Sequence, residues 1–515
     1  MLRMVSADQL QSLDGLDREQ LIAHLLDERR LVETLQSEVH FKATRIEQLT
    51  FELARYKRIR FERTSEKLDA NQASLLDETL DTDLAAMQAE LEQLKPTPAS
   101  DEKRQKPRRE ALPANLPRVE IRHEPKTTVC ACGCELKRIG EDVAEKLAYK
   151  PGDFTVERHI RGKWVCGKCE TLQQAPVPAQ IIDKGIATAG LLAQVLVNKF
   201  ADHLPLYRQE AIFARAGYAI PRSTLGDWVG TCGVQLQPLV DALRQVVLQH
   251  GVLHADETPV AMLKPGNGKT HRAYLWAYSP GAYEPIKAVV YDFAETRSGK
   301  NAETFIADWR GKLVCDDYSG YKAIIAKGVI ECGCLAHARR KFYDLHAANK
   351  SQIAEEALVR FGDLYEVERS LDGLDADGRR QRRQERAKPI ADALKAWLMG
   401  QRQKVPDGTA TAKAIDYSLK RWEALTRYLN DGALPPDNNH IENQIRPIAV
   451  GRSNWLFAGS LRAGQRAAAV MSLINSAKMN GHDPLAYLAD VLARLPTTPA
   501  RQIDDLLPHR WTPAA

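Results

Sequence analysis

The fold is decided between Val252 and His337, in VLHADETPV (252–260), RAYLWAYSP (272–280), IKAVVYDFAE (286–295), KLVCDDYSGY (312–321) and GVIECGCLAH (328–337). Runs of β-branched and aromatic residues broken by turn formers predict three strands joined by turns, then a helix and a further strand. That order indicates an α/β sheet with an initial meander. Asp256 stands where the first strand runs out into Thr258 and Pro259, and Asp316 where KLVCD runs out into Tyr318, Ser319 and Gly320. Strand ends are the usual place for functional groups on such a sheet. Glu257 and Asp317 adjoin these residues, but strand neighbours point to opposite faces, so only one of each pair can join a common site.

Downstream, a largely helical stretch from about Ala336 to Asn430 contains RRQRRQERAK and separates the sheet from NNHIENQIRP (438–447). A helix starting near Asp437 or Asn438 would pack down through Ile441 and Ile445, spaced i, i+4, while Glu442 points elsewhere. Three converging carboxylates repel one another at low dielectric and persist together when divalent cations neutralise them. Hard oxygen ligands select Mg²⁺ or Mn²⁺, and two such ions about 4 Å apart serve phosphodiester chemistry. An isolated Asp at a strand end more often caps or forms a turn. Convergence of Asp256, Asp316 and Glu442 is therefore open at the level of sequence.

Upstream, residues 186–240 read as helical, with LPLYRQEAIFARAGYAIPRSTLGDWV resembling a helix-turn-helix whose second helix presents Arg222, Ser223 and Thr224 to DNA. Before it lie TVCACGCELKRIG and GKWVCGKCETL. Cys166 and Cys169 form a C-x2-C pair, and Cys130, Cys132 and Cys134 offer two more thiolates, which together match structural zinc. We assign Cys130 and Cys132 to the metal, although C-x-C-x-C leaves open which two of the three bind. The Pro-rich, charged segment 94–122, with Lys103, Arg104, Lys106, Arg108 and Arg109, cannot bury enough apolar surface to fold alone and reads as a linker. From Leu21 to Tyr56, heptads place Leu25, Val32, Val39, Ile46 and Leu53 at one core position and Leu21, Leu35, Leu49 and Tyr56 at the other. This predicts a coiled coil and a homo-oligomer, with Glu28 and Lys42 interrupting the seam.

A chain of 515 residues is long enough for several domains. No run of about 18 apolar residues predicts a membrane span, and the first residues lack a secretory pattern. Nine cysteines, mostly in small clusters, suit a reducing cytoplasm better than a disulfide framework. A net charge of +5 permits nucleic-acid binding without arguing for it. In GRSNWLF, Arg452 and Asn454 could contact DNA by charge and amide, and Arg446, one turn beyond Glu442, could grip a phosphate.

Across nearly its whole length the chain resembles a DDE transposase of the insertion-sequence-66 family. The resemblance is carried by RIRFERTSEKL, the two cysteine clusters, DHLPLYRQEAIFARAGYAIPRSTL, HADETPV, DDYSGYKA, CLAHARRKF, NNHIENQIRPIAVGRSNWLFAGS and SAKMNGHDPLAYLADVL. It implies a metal-binding triad at Asp256, Asp316 and Glu442, with Asp317 standing where the family often has glycine. It also implies a ribonuclease-H-like core, and small accessory proteins of the same element as partners. The expected architecture is multidomain α/β. It comprises a coiled-coil region (1–93), the linker (94–122), a zinc module (123–180) and a helical DNA-binding region (181–248). A ribonuclease-H-like catalytic domain (249–475) follows, with a helical insertion at about 336–430, and then a helical tail (476–515). The expected activity is end binding, phosphodiester hydrolysis and 3′-hydroxyl strand transfer on double-stranded DNA. A non-catalytic DNA-binding regulator or assembly protein of a mobile element is the alternative.

Overall fold

The structure, a computed structural model, describes residues 18–61, 70–94, 112–150, 152–264 and 269–513. The chain divides into two compact units, residues 1–65 with 86–105 and residues 66–85 with 106–515. Helix α1 (Arg18–Phe61) carries the predicted heptads, and α2 (Ala70–Leu94) belongs to both units. Within the first unit, Arg45 Nη2 lies 3.1 Å from Glu90 Oε2. Heptad positions Val32, Leu35 and Val39 are 47%, 49% and 67% exposed, so this part of the seam is uncovered in the single chain. The basic cluster at 103–109 falls outside the described residues.

The second unit begins with a small sheet of β1 (Arg118–His123), β2 (Leu136–Lys150), β3 (Asp153–Cys166) and β4 (Leu172–Gln174). β2 and β3 form a long antiparallel hairpin, and β1 and β4 pair with successive stretches of β3. Helices α3 (Ala189–Phe200), α4 (Leu206–Arg215) and α5 (Arg222–Val247) follow. Thr188 caps α3 by accepting the Leu191 N–H at 3.2 Å. Gly217, at φ 98°, makes the left-handed turn that ends α4. The 26-residue α5 buries Leu225, Trp228, Val229, Leu236 and Leu243 in one hydrophobic core with the strands that follow, so it is a core element as well as a candidate reader.

The main sheet contains β5 (Val252–Met262), β6 (His271–Pro280), β7 (Val290–Ala294), β8 (Lys312–Cys315) and β9 (Ile330–Gly333), in the order β7-β6-β5-β8-β9. The first three are antiparallel neighbours, while β8 runs parallel to β5 and β9 parallel to β8. Helix α6 (Gly299–Ile306) joins β7 to β8, and the short α7 (Lys322–Ala326) joins β8 to β9.

Six helices then run from Leu335 to Thr426: α8 (Leu335–Asn349), α9 (Gln352–Arg369), α10 (Ala376–Arg382), α11 (Lys388–Arg402), α12 (Ala410–Lys420) and α13 (Trp422–Thr426). They bury Phe342, Phe361, Leu364, Leu394 and Ile415 in a second core. Between α10 and α11, Arg383 is fully buried and pairs with both Glu368 oxygens at 2.9 and 2.7 Å. Its Nη1 also donates to the carbonyls of Tyr428 and Leu434 at 3.1 and 2.9 Å. Removing one partner of such a buried pair costs about 3–5 kcal/mol.

The chain returns to the sheet through α14 (Asn439–Trp455), and the insertion closes at its neck. There the Leu335 N–H donates to the Pro436 carbonyl at 3.0 Å, and the Asn438 N–H to Cys334 Sγ at 3.2 Å. Helix α15 (Leu461–Met479) then lies along edge strand β7, and α16 (Pro484–Arg494) completes the main helices. Backbone groups on a sheet edge need partners. Here the Tyr291 N–H donates to Ser472 Oγ at 2.8 Å, and the Val289 N–H to Ser476 Oγ at 2.9 Å. Gly464 permits the close approach, since a Cβ there would stand 2.2 Å from the Phe293 ring. Among the described residues, no helix is long and apolar enough to cross a membrane.

Candidate active site

Strand β5 lies at the middle of the sheet, and its parallel pairing with β8 ends at His254 opposite Val314. Asp256 and Asp316 each follow two residues later, so the alternation of side chains directs them to the same face. Asp316 stands just past the end of β8 as expected, but Asp256 lies inside β5, opposite Ala277, because the strand continues along β6 through Thr258 and Pro259 to Met262. Glu442 arrives in the first turn of α14. The three carboxylates sense one another. Burial pushes the Asp256 carboxyl up to about 8, and the charges of Glu257, Asp316 and Glu442 add to that effect.

The adjacent acids are occupied otherwise. Glu257 is buried, accepting from Arg297 Nε at 2.7 Å and from the Tyr321 hydroxyl at 2.8 Å. Asp317 is exposed and paired with Arg421, whose other contact is Glu331 at 2.7 Å. Asp316 Oδ1 instead accepts the Tyr318 N–H at 2.9 Å, the side chain folding over its own turn.

Asn438 explains how a residue beyond a helical insertion reaches the interior of β5 and the end of β8. Fully buried, it donates from Nδ2 to the Ala255 carbonyl at 2.9 Å and accepts from His254 Nδ1 at 2.7 Å. Burial pushes His254 down to about 3, so the ring is neutral and Nδ1 carries the shared proton. One amide thus ties the start of α14 to the strand residues preceding Asp256. Farther along α14, Tyr291 Oη donates to the Gln444 carbonyl at 2.7 Å, and Arg452 donates to the Pro259 carbonyl and, at 3.4 Å, to Thr258 Oγ1.

Cys334, His337 and Glu442 place their ligand atoms within 4.8 Å of one another. His337 Nδ1 and Glu442 Oε1 stand 3.6 Å apart, beyond hydrogen-bonding distance, and both are buried without a hydrogen-bond partner among the described residues. By sequence alone, Cys332, Cys334 and His337 in CGCLAH have a spacing that could hold a metal but offer no apparent fourth ligand, and they read as core residues. The signal that could have found it was HIEN, since only the fold brings that helix beside Cys334.

Of the residues proposed to contact DNA, Arg446 and Asn454 are exposed, whereas Arg452 is engaged with strand β5. Arg222, Ser223 and Thr224 form the half-buried first turn of α5, where the Arg222 N–H donates to Glu210 Oε1 at 3.1 Å. Trp455 is half-buried and donates to His203 Nδ1 at 3.4 Å.

In the small sheet, Cys130, Cys132, Cys166 and Cys169 bring their sulfurs within 4.8 Å of one another. The shortest contacts are 3.2 Å for Cys130 with Cys169, 3.6 Å for Cys132 with Cys166 and 3.7 Å for Cys132 with Cys169. Four thiolates about 2.3 Å from a tetrahedral zinc have sulfurs at about this spacing. Hydrogen bonding from the Thr171 hydroxyl and backbone lowers the Cys169 thiol to about 6, favouring the thiolate a metal requires. Cys134 stands outside the set.

The profile described as "Transposase IS66 family" matches residues 184–466, and "IS66 C-terminal element" matches 472–509. "Zinc-finger binding domain of transposase IS66" matches 127–170, and "Transposase C of IS166 homeodomain" matches 48–121. The zinc-finger match and the four-cysteine cluster together support a structural zinc. The chain is also similar to uncharacterized proteins of Sinorhizobium fredii. It is 38% identical to y4qI over 491 residues, covering 92% of this chain and 90% of that protein. It is 39% identical to y4jD over 416 residues, covering 78% and 81% respectively. With these matches running from the N-terminal helical region to the tail, the chain belongs to the IS66 transposase family.

Proposed function

We propose that the protein is a DDE-type DNA transposase that binds the terminal inverted repeats of its element, hydrolyses phosphodiester bonds there and joins the freed 3′-hydroxyls to target DNA. The observation that carries this reading is the placing of Asp256 inside the central strand, beside the end of β8, where burial and the charges of Glu257, Asp316 and Glu442 raise its carboxyl. Partly buried carboxylates that repel one another favour bound cations. The strand order, three antiparallel strands followed by two parallel ones, supports a ribonuclease-H-like core.

Asp256, Asp316 and Glu442 would hold Mg²⁺ or Mn²⁺, which when bound activates the attacking oxygen and stabilises the leaving oxygen. The donor set fits: all ligands are hard oxygens, and Glu442 Oε1 is buried without a hydrogen-bond partner among the described residues. Asn438 fixes the helix that delivers Glu442, while Arg297 and Tyr321 hold Glu257 and Arg421 holds Asp317. Hydrolysis adds water across the bond, giving a 3′-hydroxyl and a 5′-phosphate. That hydroxyl then attacks a target phosphodiester and displaces a new 3′-hydroxyl, with no covalent protein intermediate.

The exposed Arg446 and Asn454, with the first turn of α5, would contact the ends. The uncovered heptads of α1 would pair two copies into a coiled coil. The reaction would take place in the bacterial cytosol with accessory proteins of the element. Purified protein, Mg²⁺ and labelled element ends test the reading. Asp256→Asn and Glu442→Gln should abolish strand cleavage and spare end binding. A wild-type protein that shifts the DNA and cuts nothing would instead be a binding regulator.

A further inference from the structure

We propose that a basic groove beside Glu442 binds a single DNA strand, its phosphates on Arg339 and Arg340 and a base against Tyr343. This rests on the reading of the chain as a DNA-processing enzyme and adds a site to it.

The groove is open and offers about 500 Å³ between helices α8 and α9. Arg339, Arg340 and Tyr343 line it from α8, and Gly362 and Arg369 from α9. Asn439 lines its inner end. Asn439 and Glu442 share the first turn of α14 at i, i+3, so the groove reaches the helix that carries a candidate metal ligand.

The lining is one-sided in charge, with three arginines and no carboxylate among its described residues. Arg339 and Arg340 are exposed and carry no ion pair or side-chain hydrogen bond among the described residues. Arg369 is paired with Glu366, but both side chains are largely exposed, and such a pair costs little to exchange for a phosphate. Tyr343 is 55% exposed and lines the groove beside the arginines. A cationic groove combined with an exposed ring is how proteins hold unstacked nucleic acid: the charges follow the backbone and the ring takes a base face.

Gly362 is an independent sign. It lies in the interior of α9, where glycine costs about 1 kcal/mol relative to alanine. A Cβ there would meet nothing within 4 Å, so helix packing does not require the absence of a side chain. What the glycine does is leave the groove clear.

The test uses full-length protein and two fluorescent duplexes, one blunt and one ending in an oligothymidine extension. Wild-type protein should bind the extended duplex more tightly. Arg339→Ala with Arg340→Ala should lower that preference and reduce the slope of log affinity against log salt by about 1.4, two single-strand phosphates. Tyr343→Ala should weaken binding of the extension about tenfold, and Tyr343→Phe should restore it. Gly362→Trp, which changes no charge, should block the extension, with an unchanged melting temperature showing that the fold persists. Variants that bind the extension as wild type does would overturn the proposal. So would losses equal for both duplexes, which would make the groove a duplex contact. A wild-type protein that binds neither duplex would remove the DNA-processing reading itself, and this proposal with it.

Discussion

The four cysteine sulfurs lie within 4.8 Å of one another in a small sheet, whereas the three candidate catalytic carboxylates come from the interior of one strand, the end of another and a helix, and Asp256 feels the charges of the other two. The difference follows from what each set is for. Soft thiolates that close around one metal are a fold stabiliser, and their geometry is complete within the chain. The carboxylates proposed to share cations with a substrate come from separate elements, and among the described residues Glu442 Oε1 is left without a hydrogen-bond partner. Their strain shows in the raised Asp256 carboxyl and in the orphaned Glu442 oxygen.

The largest effect that could break this contrast lies within one dipeptide. Asp316→Asn should reduce strand cleavage by at least about a thousandfold, whereas Asp317→Asn, which loses only the exposed pair with Arg421, should stay within about tenfold of wild type. Equal losses from both would mean that Arg421 does not divide the pair as described. Next, Cys166→Ser with Cys169→Ser should remove about one zinc per chain, measured by elemental analysis. The same variant should expose the small sheet to protease while leaving the circular dichroism of the helices largely intact. Undiminished zinc would place the metal elsewhere.

A smaller effect distinguishes the two sites by pH. The folded state holds the Asp256 proton more tightly than the unfolded chain, so ionising it opposes folding. Its contribution to stability is full below the ordinary carboxylate pKa of 3.8 and is lost as the pH rises toward about 8. Metal-free protein should therefore melt at falling temperature over that window. Mg²⁺ should restore more stability at the alkaline end than at the acid end, and Asp256→Asn should flatten both trends. A melting temperature that rises across the window would contradict the assignment. The smallest effect is expected of Cys134→Ser, which should leave the zinc content unchanged because Cys134 stands outside the sulfur cluster.

What the sequence made legible was local. Strand texture located the sheet and put Asp316 at a strand end, but Thr258 and Pro259 misled as a stop for the first strand, which pairs with β6 as far as Met262 and leaves Asp256 in its interior. The C-x2-C pair and its upstream partners were legible too, although C-x-C-x-C could not itself exclude Cys134. The convergence of Glu442 was not legible, because it depends on Asn438 bonding to Ala255 and His254, contacts across more than 180 positions. The family resemblance supplied that convergence as an expectation without its cause. Arg452 shows the opposite failure. Its motif suggested DNA contact, yet the fold turns its guanidinium onto the Pro259 carbonyl. His337 shows a third, a residue given to the core whose ring stands against Glu442.

The neck of the insertion carries a further consequence. Leu335 and Pro436 are hydrogen-bonded to each other, so the chain leaves the sheet and comes back at nearly the same point. Everything between them is a parenthesis in the architecture. Evolution, or an engineer, could lengthen or shorten the outer helices without altering where the sentence resumes, provided the bracket residues, Asn438 and the insertion's own hold on the sheet through Arg421 and its shared core are kept.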